Sequence, residues 1–128
     1  MNTDQPTPDS NPPRWDFQPA LEISAPQTAL LHQDAGETPF LLIDIREKHE
    51  LEVSSIDGAL HIPMGDIPSR INELDVDEDT TIAVLCRSGK RSLDVTIYLQ
   101  KQGLDGARSV AGGINWWAEK IDSSLTIY

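Results

Sequence analysis

The sequence predicts an α/β domain in which helices cover both faces of a mainly parallel sheet. Two apolar runs of strand length, Phe40-Leu41-Leu42-Ile43 and Thr81-Ile82-Ala83-Val84-Leu85, are continuous rather than alternating. That pattern suits strands covered on both sides. Helical patterns lie between the strand candidates, the alternation expected of an α/β layer structure. The chain has 128 residues and is 38% apolar, which fits one domain around one core.

Residues 1–19 carry five of the nine prolines among polar residues. Such a segment buries too little apolar area to order itself, so it reads as a flexible, dispensable tail ahead of a domain at 20–128. Trp15 and Phe17 are the side chains through which it could dock. Leu21–Ile23 is a short strand candidate. Ser24 and Gln27 then have capping-box spacing, with Pro26 in the first turn, where it is tolerated. This first helix is expected to end near Gly36, a plausible cap.

After Phe40–Ile43, Ala59–Ile62 and Arg108–Val110 are weaker strand candidates. Ile67, Ile71 and Leu74 follow i, i+4, i+7 spacing and predict a helix. Val95, Tyr98 and Leu99 predict another, stopping at Gly103. Ile114, Trp117, Ala118 and Ile121 form a last apolar stripe. There is no internal repeat.

Composition excludes several functions. No apolar run approaches the roughly 18 residues of a membrane-spanning helix. The N-terminus lacks a charged start followed by an apolar stretch, so a cytoplasmic location is expected. A single cysteine rules out an internal disulfide and any multi-cysteine metal site, and suits a reducing compartment. His32, His49 and His61 show no metal-ligand spacing, so neither metal nor cofactor is expected. A formal net charge of −11 argues against nucleic-acid binding, which needs a basic footprint. The charge serves solubility, or the steering of a basic partner.

The strongest local signal is the strand Thr81–Leu85 running into Cys86-Arg87-Ser88-Gly89-Lys90-Arg91 and then a helix. Residues just beyond the C-terminal end of a parallel strand sit where α/β sheets place ligands. The helix that follows aims its unpaired amides and positive dipole end at the cysteine. Arg87, Lys90 and Arg91 add positive charge in an otherwise acidic chain, and Gly89 permits the backbone angles of a tight cradle. These features favour a thiolate nucleophile over a buried structural cysteine. Such a thiolate can take a sulfane sulfur from thiosulfate or another persulfide, hold it as Cys–S–SH, and pass it to an acceptor in a second half-reaction. Amides and cations stabilise the outer anion as an oxyanion hole does.

These motifs resemble the rhodanese family over roughly residues 20–128. Leu42-Ile43-Asp44-Ile45-Arg46-Glu47, with Glu50 following, resembles its first motif. Ile56-Asp57-Gly58-Ala59-Leu60-His61-Ile62-Pro63 resembles the second, with Ser54-Ser55 where Gly-His is usual and Asp57 where proline is common. Cys86-Arg87-Ser88-Gly89-Lys90-Arg91-Ser92 resembles the active-site loop. Ala111-Gly112-Gly113-Ile114-Asn115-Trp116-Trp117 resembles the closing motif. The resemblance implies a five-stranded, mainly parallel sheet with helices on both faces. It implies Cys86 as the persulfide-bearing residue and Arg87, Ser88, Gly89, Lys90 and Arg91 as the anion cradle. The run from Gly112 to Leu125 is similar to rhodanese domains fused behind adenylating enzymes that sulfurate ubiquitin-like sulfur carriers. Such a carrier, or its adenylating enzyme, is accordingly a candidate partner, beside a small sulfur donor and a thiol acceptor.

Asp44 and Arg46 read as loop-holding groups pairing with backbone or with Glu50, and His61 as structural, because a preformed thiolate needs no proton shuttle. Trp116 and Trp117 read as packing residues, one of which could border the site mouth. Two other functions compete. A cysteine phosphatase or arsenate reductase shares the thiolate and cradle, but those families resemble Cys-x5-Arg with histidine before the cysteine. Here four residues separate Cys86 from Arg91, and Leu85 precedes the cysteine. A non-enzymatic binding or redox-sensing module is the other alternative.

Overall fold

The computed structural model describes residues 10–34 and 37–128. Among these residues five strands form one all-parallel sheet: β1 (Glu22–Ile23), β2 (Phe40–Asp44), β3 (Leu60–His61), β4 (Thr81–Leu85) and β5 (Ala107–Val110), in the order β1-β5-β4-β2-β3. The two continuous apolar runs are the paired central strands, with Phe40 beside Thr81 and Asp44 beside Leu85. Alternate residues of these strands feed opposite faces. Ile43, Ile82 and Val84 join Val95 and Leu99 on one face, whereas Leu42, Ala83 and Leu85 join Ala29, Ile114 and Trp117 on the other. Two cores share one sheet, which is why the central strands cannot alternate polar with apolar.

Helices α1 (Ala25–Gln33), α2 (Lys48–Leu51), α3 (Ile67–Arg70), α4 (Lys90–Lys101) and α5 (Gly113–Lys120) fill the connections. Ser24 caps α1 by accepting from the Gln27 amide at 3.2 Å. That helix stops at Asp34, and its predicted Gly36 end lies outside the described residues. The helix predicted from Ile67, Ile71 and Leu74 is broken: α3 has one turn, flanked by 3₁₀ turns at Met64–Asp66 and Ile71–Glu73. Arg70, at φ −111° and ψ 1°, leaves the helical region there. The apolar stripe survives the break, because Ile67 is buried and Ile71 and Leu74 pack beside it. Helix α2 had no periodic signal, being a single turn closed by a capping box between Glu47 and Glu50.

Residues 10–19, within the segment that composition reads as a tail, lie against the domain. Trp15 Nε1 donates to Glu22 at 3.0 Å, and Trp116 Nε1 donates to the Ser10 carbonyl at 2.9 Å. Among the described residues no helix is long and apolar enough to cross a membrane.

Candidate active site

The C-terminal ends of β2 and β4 meet two helix N-termini, those of α4 and α5. Cys86 follows β4 directly and is 1% exposed. Its sulfur is 3.1 Å from the Gly89 amide and 3.4 Å from the Ser92 amide, while its thiol donates to Ser92 Oγ at 3.2 Å. First-turn amides of a helix have no acceptor within it, so α4 offers them to the sulfur. Gly89 caps the helix at φ +101°, a left-handed conformation that turns its N–H inward.

The loop's carbonyls face the other way. Ile114 N donates to the Cys86 oxygen at 2.9 Å and Asn115 N to the Arg87 oxygen at 3.1 Å, so the first turn of α5 absorbs them. Gly113, at φ +64°, makes this approach possible, since a Cβ there would run into the Arg87 and Cys86 carbonyls. One helix end thereby orients the cradle and the other supplies it.

The cations of the predicted cradle divide by role. Arg91 is held by Glu50 in a two-pronged pair at 2.8 and 2.9 Å. Its hydrogen bonds hold the Glu50 carboxyl well below the usual range, overcoming burial, and Tyr128 and the Glu47 amide help. The same bond raises Arg91 against the opposing effect of burial. Arg87 lies over the Tyr128 ring, 4.8 Å from its centre, and its Nε donates to the Tyr128 carbonyl at 2.6 Å. Asn115 also holds that carbonyl, at 2.9 Å. Lys90 and Ser88 are exposed.

Behind the loop, Asp44 and Arg46 are buried and paired at 2.7 Å. Arg46 donates to the carbonyls of Glu50 and Ser54 and to the Tyr128 hydroxyl. The Tyr128 hydroxyl in turn donates to Glu50 at 2.6 Å. Burial raises the Tyr128 hydroxyl above its ordinary value, Arg46 pulls it down and Glu50 pushes it up. His61 contacts the Arg46 carbonyl at 2.7 Å, a structural bond. Of the tryptophans, Trp117 is in the core and Trp116 lines a pocket of about 270 Å³ beside the loop, with Pro12, Trp15, Ser88 and Ile127. A larger cavity, about 620 Å³, lies at the opposite end of the sheet around Phe40 and Thr80, away from the cysteine.

The sequence gives no sign that Glu50 partners Arg91 or that Tyr128 joins them. Glu47 and Glu50 close the cap of α2 in the structure, and nothing local in the sequence signals either that cap or the reach of Glu50 across to α4. No local signal marks Tyr128, whose contacts are long-range.

A parallel sheet with a cysteine loop between β4 and α4 defines a class of protein, and comparison gives it a family. Residues 26–120 match the model of the rhodanese-like domain, and the chain belongs to that family. It is 39% identical over 98 residues to YtwF of Bacillus subtilis (strain 168), named as a candidate sulfurtransferase, covering 76% of this chain and 92% of that one. It is 29% identical over 100 residues to the adenylyltransferase and sulfurtransferase MOCS3-2 of Zea mays, covering 74% of this chain but only 20% of that protein. The human single-domain sulfurtransferase TSTD1 superposes with a TM-score of 0.65 at 27% identity, over 81% of this chain and 98% of that one. These relatives support sulfur transfer as the general activity.

Proposed function

We propose that this protein carries a sulfane sulfur on Cys86 and passes it to a nucleophilic acceptor. The observation that carries the reading is the convergence of the Gly89 and Ser92 amides and the Ser92 hydroxyl on one sulfur atom. In the first half-reaction the Cys86 thiolate attacks the outer sulfur of thiosulfate. The S–S bond of the donor breaks, sulfite leaves with the electron pair, and Cys86 holds a persulfide anion. In the second, an acceptor thiolate or cyanide attacks that outer sulfur and the Cys86 thiolate returns as leaving group. No proton need move within the protein. Amides of the α4 first turn stabilise the outer anion.

Four residues between Cys86 and Arg91, and an Arg91 already committed to Glu50, support sulfur over a tetrahedral phosphoryl group, which needs more donors around it. The relation to MOCS3-2 supports a protein acceptor such as a ubiquitin-like sulfur carrier, or an adenylating enzyme that serves one. A free thiol of this kind suits the cytoplasm. Thiocyanate formation from thiosulfate and cyanide tests the reading. The protein should turn over and Cys86→Ser should not, with its fold retained. Turnover by the serine variant, or cysteine-dependent hydrolysis of an aryl phosphate without thiocyanate formation, would refute it.

A further inference from the structure

The Ser92 hydroxyl beside the Cys86 sulfur has a buried partner of its own, which the transfer steps above do not use. Ser92 Oγ lies 3.2 Å from Cys86 Sγ, and Ser109 Oγ lies 2.7 Å from Ser92 Oγ. Both serines are 0% exposed. Ser109 sits in β5 beside Val84, on the sheet face packed by Val95 and Leu99. A buried hydroxyl costs stability unless it is bonded. An apolar side chain would fill that face at no such cost, so the serine pair has a use beyond packing.

We infer that Ser109 is a positioning residue for the chemistry at Cys86, acting through Ser92. In the thiol state Sγ–H donates to Ser92 Oγ, which donates to Ser109 Oγ. When Cys86 loses its proton to solvent, both bonds reverse. Ser109 then donates to Ser92 Oγ, and Ser92 donates to the thiolate. Hydroxyl hydrogens rotate without moving heavy atoms, so the reversal costs little rearrangement. The thiolate gains a charge-assisted bond, which the second hydroxyl strengthens by polarising the first. Neither serine gives up a proton. In turnover, charge on the persulfide sits mainly on the outer sulfur and returns to Sγ as the acceptor attacks. The pair is then placed to stabilise the leaving thiolate. This last use rests on the sulfur-transfer reading, whereas the hydrogen-bond chain itself does not.

The experiment reads the thiol directly. Cys86 is the only cysteine, so the pH profile of its alkylation by iodoacetamide, followed by intact mass, reports its ionisation. The charged groups of its loop, Arg87, Lys90 and Arg91, and those behind them, Glu50, Tyr128 and the Asp44–Arg46 pair, are the same in every variant. Ser92→Ala and Ser109→Ala should each raise the midpoint by about half to one pH unit, roughly a three- to tenfold fall in the ionisation constant. In the Ser92→Ala background, Ser109→Ala should add nothing, because its effect passes through Ser92. Ser109→Thr and Ser109→Val are isosteres that differ in the hydroxyl; Thr should hold the midpoint near the parent and Val should raise it, which provides the comparison if the alanine variant does not fold. An unmoved midpoint in both Ser109→Ala and Ser109→Val, or additive shifts in the double variant, overturns the inference. Coupled shifts in a protein that forms no thiocyanate would overturn the sulfur-transfer reading and leave the serine chain standing. Thiocyanate formation with uncoupled shifts would do the reverse.

Discussion

Two ion pairs stand side by side behind the cysteine loop, and they differ in what they hold. Asp44–Arg46 is sealed, with side chains 2% and 0% exposed, and the Arg46 side chain also bonds carbonyls of Glu50 in α2 and of Ser54, and the Tyr128 hydroxyl. Glu50–Arg91 is half open, 10% and 34% exposed, and bridges α2 to the first turn of α4. The first ties the segment after β2 to itself and to the C-terminal Tyr128, and the second links α2 to the loop carrying Cys86. The difference teaches that a family motif near β2 can brace the loop after β4 without touching its sulfur.

Breaking the sealed pair should have the largest effect on stability. Arg46→Ala leaves Asp44 buried without its partner, a class of change that costs about 3–5 kcal/mol. Urea denaturation should show a loss of that size. A loss under about 1 kcal/mol would mean that water reaches Asp44 freely.

Glu50→Gln separates the two roles. It keeps the shape but removes the charge that holds Arg91, and solvent screens the partly exposed pair, so the stability loss should be about 1 kcal/mol or less. Turnover should fall further, by about tenfold, as the loop loses its tether. The pH dependence has a definite sign. The Glu50 carboxyl is held below its usual value of 4.5, so its stabilisation is present above that pH and is lost as pH falls below it. Thermal melts of Glu50→Gln should therefore converge on those of the parent as the pH drops below 4.5.

Tyr128→Phe should have the smallest effect. It removes the hydroxyl shared by Arg46 and Glu50 but keeps the ring beneath Arg87, 4.8 Å away. A loss of about 1 kcal/mol is expected in denaturation, with turnover within about threefold of the parent. A larger fall in turnover would move Tyr128 from the frame into the site.

Much of this arrangement was legible because it is local. The runs at β2 and β4 are long, apolar and bounded, and strand, cysteine, glycine and helix follow one another without interruption from Thr81 to Lys101. What could not be read was long-range or chemically unmarked. Arg91 is a cation in a cation-rich loop, and nothing in the sequence says that it serves Glu50 rather than an anion. Ser109 sits in a short strand where a serine reads as an ordinary residue. The stripe of Ile67, Ile71 and Leu74 gave the correct buried face but the wrong geometry, since 3₁₀ and α turns present similar faces over so few residues. Proline content implied a flexible tail with Trp15 as one docking side chain, but composition carries no information on where that side chain lands, and its ring lies close against Gly89.

The central claim is that Cys86 itself holds the travelling sulfur, and intact mass measures this most directly. Incubation with thiosulfate followed by rapid desalting should add about 32 Da, one sulfur, to the parent protein and nothing to Cys86→Ser. Cyanide should remove the added mass as thiocyanate forms. A parent protein that turns over while its mass stays unchanged, or an adduct that persists in the serine variant, would contradict the account.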